Sequence, residues 1–111
     1  MAFIIPKRLG QAAITTGAGV LVYTAPTAIT TLVKCLDICN TTAAAISVSV
    51  YLVPLAGAAA TSNALFYTLP IAPLSIYQWT GTQILNTGGF IQVSASAVGC
   101  TINAAGGEYV V

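Results

Sequence analysis

Short runs of β-type residues, each ended by turn-forming residues, are the feature that most limits what this chain can fold into. In the run from Phe90 to Ala97, positions 91, 93, 95 and 97 are apolar, and glutamine or serine stands between them. Alternation with a period of two is typical of a half-buried strand, because successive side chains point to opposite faces of a sheet. Such runs recur along the chain, at 20–24, 31–39, 46–53, 64–69, 74–79, 90–97, 100–104 and 108–111.

The spacing of these runs predicts the fold class. Seven to eight strands, separated by turns at intervals of about 8 to 12 residues, indicate an all-β chain folded as an antiparallel β-sandwich of the jelly-roll or Ig-like kind. The segment Asn86–Gly89 predicts a hairpin turn, because glycine tolerates the positive φ that such turns need. The alanine-rich stretch 56–64 is interrupted by Gly57, Ser62 and Asn63, so we predict a loop there and no helix.

The length of 111 residues matches one domain. We divide it into an amino-terminal arm, residues 1–19, and a single β-sandwich domain, residues 20–111. The arm is predicted because Pro6, Gly10, Gly17 and Gly19 break up this segment, which favours an extension over a core strand.

Charge is scarce in this sequence. Hydrophobic residues make up 57% and charged residues 5%, whereas about a quarter of the residues of ordinary soluble domains are charged. A freely diffusing monomer covers its surface with mixed charge. We therefore expect other subunits to cover much of this surface, in a homo-oligomer or against other proteins. The charged residues are Lys7, Arg8, Lys34, Asp37 and Glu108.

The same scarcity argues against nucleic-acid and membrane partners. Binding a phosphate backbone takes several basic side chains on one face, and only Lys7 and Arg8 are adjacent here. The apolar stretch 43–60 alternates with a period of two and contains Pro54, which favours a strand over a membrane-spanning helix. Residues 9–22 lack the continuous apolar core of an export signal. We therefore expect synthesis in the cytoplasm without export by the general secretory pathway.

Catalytic chemistry has few candidates. The chain has no histidine and only one aspartate and one glutamate, Asp37 and Glu108. General acid–base catalysis needs a group that titrates near neutral pH, and serine or cysteine nucleophiles need a base beside them. We therefore predict no enzyme activity, no catalytic, cofactor-binding or metal-binding residue, and no cofactor.

Three cysteines, Cys35, Cys39 and Cys100, remain as a possible site. Cys35 and Cys39 share a face of a strand but lie about 13 Å apart at roughly 3.3 Å per residue, too far for a disulfide, which needs Cα atoms within about 7 Å. A zinc site needs four ligands. We predict three reduced, mostly buried thiols; a disulfide between Cys100 and one of the others is the alternative.

Aromatic residues offer a weaker signal. They suit a ligand platform, but sandwich cores and subunit contacts use the same residue types, and we favour the latter. The residues concerned are Tyr23, Tyr51, Phe66, Tyr67, Tyr77, Trp79 and Tyr109.

From about Val20 onward the chain resembles small β-sandwich virion structural proteins of tailed bacteriophages, found as head decoration (cement) or tail and fibre components. The resemblance covers roughly four fifths of the chain, and the order of short motifs carries it. These motifs are Leu21 to Pro26, Cys39 to Ala43, Tyr51 to Pro54, Ser62 to Leu65 and Gln92 to Ser96.

The resemblance implies a compact β-sandwich in the virion and transfers no catalytic residue. Together with the low charge, it favours a capsid decoration (cement) protein that stabilises contacts between major capsid subunits, with the arm reaching onto a neighbour. The alternative is a tail or fibre component that binds host-surface glycan. Aromatic side chains on loops at one end would favour the alternative, and a wide face of small neutral residues would favour the cement function.

Overall fold

The computed structural model describes residues 3–110, which form eight strands. One 3-10 turn, Thr61–Asn63, is the sole helical segment within these residues. The all-β prediction is confirmed. The strands are β1 (Phe3–Ala13), β2 (Val20–Thr24), β3 (Thr30–Asn40), β4 (Ile46–Val53), β5 (Ala64–Ile71), β6 (Ile76–Leu85), β7 (Phe90–Ala95) and β8 (Cys100–Val110).

The strands form two antiparallel sheets of four. The first sheet has the order β1-β8-β3-β6, and the second has the order β2-β7-β4-β5. The first strand thus pairs with the last, the second with the seventh, the third with the sixth and the fourth with the fifth. This nested pairing is that of a long hairpin wrapped into two sheets, so of the two predicted kinds of sandwich the chain forms the jelly roll.

Alternation along the strands places the core between the two sheets. In β3, Val33 faces inward, and the register slips at Lys34 so that Leu36 and Ile38 face inward again. Such a bulge shifts the alternation without interrupting the sheet. The fully buried large apolar side chains are Ile14, Val33, Leu36, Ile38, Val48, Val50, Val53, Ile71, Ile91, Val93 and Ile102.

Strand β8 is longer than the sequence indicated. The pair Gly106-Gly107 was predicted to separate two runs, but β8 continues through both glycines. A Cβ at Gly106 would collide with the main-chain oxygen of Leu32 on the neighbouring strand β3. Glycine here permits close approach of two backbones and does not mark a turn.

The first residues also differ from expectation. Residues 3–13 form β1, which pairs with β8 along its length, so an arm separate from the sheet does not describe them. Pro6 is compatible with a strand because β1 lies at the sheet edge. Leu9 and Ile14 are buried in the core. The division of the chain between residues 19 and 20 stays a prediction.

No helix within residues 3–110 is long and apolar enough to cross a membrane.

Candidate functional site

Charge is confined to one of the two sheets. Lys7 and Arg8 lie on β1, Lys34 and Asp37 on β3, and Glu108 on β8, all of them strands of the first sheet. The second sheet and every loop between residues 3 and 110 carry no charged side chain. The sandwich therefore has one charged side and one neutral side.

The outer surface of the second sheet, here called the neutral face, is built by alternation. Val48 and Val50 of β4 are fully buried, so Ser49 and Tyr51 between and after them point away from the core. In the register of β4 with β7, Ser49 lies opposite Ser94 and Tyr51 opposite Gln92. The neutral face consists of Ser47, Ser49, Tyr51, Tyr67, Gln92 and Ser94.

Two shallow depressions adjoin on the neutral face, and both include Tyr51 and Ser94. The first has a volume of about 410 Å³ and is flanked by small residues of two loops, 17–18 and 57–59. The second contains the hydroxyl of Ser47 and that of Ser49, which is 6% exposed and already accepts from the main-chain N–H of Thr68 at 2.8 Å. Hydroxyl and amide groups can donate and accept hydrogen bonds. The neutral face is thus equipped to bind by contact and hydrogen bonding.

The charged side contains one polar cluster that joins the two sheets. The hydroxyl of Tyr23, on β2, lies 2.7 Å from Oγ1 of Thr31 and donates to Oε2 of Glu108 at 2.6 Å. Nζ of Lys7 lies 3.1 Å from the same Glu108 oxygen. The cluster therefore ties β2 of the second sheet to three side chains of the first, which indicates a structural role.

The cluster shifts the pKa values of its members in opposite directions. Burial and the hydrogen bond to Glu108 raise the pKa of Tyr23 from 10.0 to about 12. The hydrogen bond from Tyr23 is the main cause that holds the pKa of Glu108 below its usual 4.5; burial opposes it, and the weaker contacts with Lys7 act in the same direction as Tyr23. Glu108 is therefore ionised and Tyr23 neutral at pH 7, as their hydrogen bond requires.

Replacing Tyr23 by phenylalanine tests this cluster. The change leaves the buried hydroxyl of Thr31 without its partner, and we expect a loss of about 1 to 3 kcal/mol in the free energy of unfolding at pH 7. In the unchanged protein, unfolded Tyr23 ionises near pH 10 while folded Tyr23 stays neutral until about 12. Its contribution to stability is therefore present below pH 10 and lost as the pH rises toward 12.

The measurement is urea unfolding of both proteins between pH 7 and pH 12. The stability difference between them is expected to narrow above pH 10. A difference that stays constant over this range would contradict the pKa assigned to Tyr23, and no difference at pH 7 would contradict the role of the cluster.

The carboxylate side chains of Asp37 and Glu108 lie far apart. Glu108 lies opposite Thr31 of β3, and Asp37 lies on β3 itself, six residues after Thr31. At roughly 3.3 Å per residue, this separates the two carboxylates by about 20 Å. The structure does not bring them together. Within residues 3–110 no group of three or more cysteine, aspartate or glutamate side chains could hold a metal ion.

The three cysteines are all free. Cys100 points into the core, whereas Cys35 and Cys39 are half-buried on the outer surface of the first sheet, so they are less buried than predicted. Cys39 lies opposite Thr101 and faces away from Cys100, which pairs with Asn40. Burial raises the pKa of Cys100, and burial and then Asp37 raise that of Cys35. Both thiols are therefore protonated and weakly nucleophilic at neutral pH.

The aromatic residues are distributed over strands, and no loop between residues 3 and 110 contains one. Tyr23 is buried and Trp79 packs against the core, as predicted. Phe66 and Tyr77 meet edge to face with ring centroids 5.6 Å apart. The sequence did not indicate that Tyr51 and Tyr67 share an outer surface with a row of serines, since that depends on strand pairing.

Fold and site together define a small jelly-roll sandwich with one neutral face. No protein-family model and no curated protein match the chain. Among solved structures, a chain from "Structure of infectious bursal disease virus Gx strain" aligns with a TM-score of 0.52 and 11% identity, over 98% of this chain and 32% of that chain. A chain from the Gt strain structure gives 0.48 and 11%, over 97% and 31%.

This chain thus spans about a third of the chains that it matches. At 11% identity, the likeness to the Gx strain chain shows a shared fold.

Proposed function

We propose that this chain is a virion structural protein, and specifically a bacteriophage capsid decoration (cement) protein that stabilises contacts between major capsid subunits. The observation that carries the proposal is the neutral face, an entire sheet surface without a charged side chain. Such a face is suited to lie against other proteins of a particle.

The energetic reason is desolvation. Moving a charged side chain from water into a contact costs several kcal/mol unless a partner compensates it, whereas a hydroxyl needs only one hydrogen-bond partner. The neutral face has serine, tyrosine and glutamine and no charge. The cores of protein interfaces are likewise depleted of lysine, aspartate and glutamate and enriched in tyrosine.

The fold supports a virion location without selecting it, because jelly rolls also occur in lectins and cupins. The fold shared with a chain from a virus structure agrees with the proposal. Exposed apolar residues near the amino terminus agree with it as well. Phe3, Ile4 and Ile5 of β1 are 50%, 51% and 43% exposed. We propose that these residues of the 1–19 segment extend the contact to the capsid.

A tail or fibre component that binds host-surface glycan is the second candidate. The observation in its favour is that Tyr51 and Tyr67 lie beside the serine hydroxyls of one depression. A sugar can pack against a tyrosine ring and form hydrogen bonds with serine hydroxyls. Against it, the loops at both ends of the sandwich lack aromatic residues, which fits packing better than glycan recognition.

The test of function is location and copy number in purified particles, by quantitative mass spectrometry and labelled electron microscopy. A cement protein is expected on the head in a ratio to the major capsid protein set by the capsid lattice. A few copies at the tail, with glycan binding by the purified chain, would instead establish the fibre function. Absence from the particle would overturn both.

The neutral face can be tested by introducing one charge. Ser94 lies at the junction of the two depressions, and Ser94→Arg is expected to reduce attachment to particles lacking the protein by at least tenfold, because the guanidinium must be desolvated. Attachment is measured by co-sedimentation. The matched control is Asn103→Arg, an exposed position on the charged side. Equal attachment of both variants would contradict binding through the neutral face.

A further inference from the structure

The edges of the two sheets differ in how they are protected. An edge strand presents unpaired N–H and C=O groups, and proteins block such edges with proline, charge, bulges or short length. Three of the four edges here are blocked in this way. β1 contains Pro6, Lys7, Arg8 and a register shift. β2 is only five residues long and also has a register shift. β5 contains Pro70 and has a positive φ at Thr68.

The first half of β6 is the exception, because the register shift of this strand lies beyond Thr80. The strand is ten residues long, contains neither proline nor a charged residue, and is exposed at most positions. Its half from Ile76 to Thr80 pairs with β3 in unbroken register, and the irregularity follows at positions 81 and 82. The sequence of this half, Ile-Tyr-Gln-Trp-Thr, is rich in residues that favour strands. This half of β6 is therefore a regular strand, and its edge facing away from β3 has no partner strand within residues 3–110.

We infer that this edge joins two copies of the chain, with β6 of one copy antiparallel to β6 of the other about a two-fold axis at Gln78. The two first sheets then form one continuous sheet of eight strands. Two-fold pairing is self-complementary, so each contact occurs twice. The exposed side chain of Gln78 lies opposite its own copy at the axis.

The register about this axis matches side chains well. Tyr77 of each copy lies opposite Trp79 of the second copy, which gives two aromatic cross-strand pairs, a combination that stabilises antiparallel strands. On the other face, Ile76 lies opposite Thr80, so an apolar side chain meets a β-branched one. Tyr77 is already held at this edge by its contact with Phe66.

The absence of charge on β6 favours pairing with a second copy of the chain, and it favours β6 over β1 as the pairing strand. Two copies of β6 approach without like-charge repulsion, because the strand is neutral. The same pairing through β1 would bring Lys7 and Arg8 near their own copies, and directly opposed like charges destabilise a strand pair. Dimerisation through β6 adds a partner surface to the proposed coat component, and it is a property of the purified chain alone. Particle attachment is tested separately, so the two can fail independently.

The experiment uses charge at the axis. We expect the purified chain to be a dimer by sedimentation equilibrium, and Gln78→Lys and Gln78→Glu each to weaken dimerisation at least tenfold, because like charges meet at Gln78. Mixing the two variants is expected to restore the dimer, since lysine then meets glutamate. Asn103→Lys adds the same charge to the same sheet surface on the internal strand β8 and is expected to leave the dimer intact.

Circular dichroism of each variant confirms folding, since Gln78 is exposed. A purified chain that is monomeric at all concentrations would overturn the inference. So would a dimer that either Gln78 variant forms as tightly as the parent, or a mixture that does not recover.

Discussion

Replacing Leu36 by alanine is expected to lower the free energy of unfolding by about 2 to 5 kcal/mol, the range for truncation of a fully buried leucine. Leu36 lies on β3, a central strand of the first sheet, and is 0% exposed. Its neighbours in register are Trp79 on β6 and Ala104 on β8. The side chain thus lies where three strands meet the core, and the rigid sheet can close only part of the cavity.

Leu21→Ala is the matched control for this change. Leu21 lies on the edge strand β2 and is 57% exposed, so the same truncation removes little buried surface. We expect a loss below about 1 kcal/mol, following the smaller area withdrawn from water. The measurement is urea unfolding followed by tryptophan fluorescence. Equal losses for the two variants would contradict the assignment of Leu36 to the core.

The bounds of a strand could be predicted from the sequence where the alternation of apolar residues and the turn residues indicated the same end. The predicted bounds of β2 and β4 match the structure, because each run ends at a residue that stops a strand, as at Pro54. β1 was missed because glycine and proline were taken as breaks. At Gly10, a Cβ would collide with the main-chain oxygen of Val22. Glycine is needed there by a neighbour that is distant in sequence, which no local pattern reveals.

The candidate site could be predicted only in part. The uncharged stretch from 38 to 107 is visible in the sequence and predicts a surface that is poor in charge. That Lys7, Lys34 and Glu108 share one sheet follows from the pairing of β8 with both β1 and β3. Strand pairing is a long-range property, and alternation alone decides which side of a strand is polar without deciding which strands are neighbours.

Asn40 is a buried polar residue at the end of β3. It is 0% exposed, and its side-chain Nδ2 donates to the carbonyl oxygens of Ala44 and Ile71, at 2.8 and 3.1 Å. Its Oδ1 accepts from the main-chain N–H and the hydroxyl of Thr42, at 3.0 and 2.8 Å. One amide therefore satisfies the turn between β3 and β4 and fixes it to the end of β5.

Replacing Asn40 by alanine is expected to cost about 2 to 6 kcal/mol of unfolding free energy, because the carbonyl oxygen of Ile71 and the main-chain N–H of Thr42 each lose a hydrogen-bond partner, at roughly 1 to 3 kcal/mol each. Asn63→Ala is the control. Asn63 makes comparable bonds, to Ala58 and Ala60, in a loop where water can replace it, and we expect less than about 1 kcal/mol there. Thermal and urea unfolding measure both variants. An Asn40→Ala protein as stable as Asn63→Ala would show that water enters the turn, and that the amide does not hold these strand ends together.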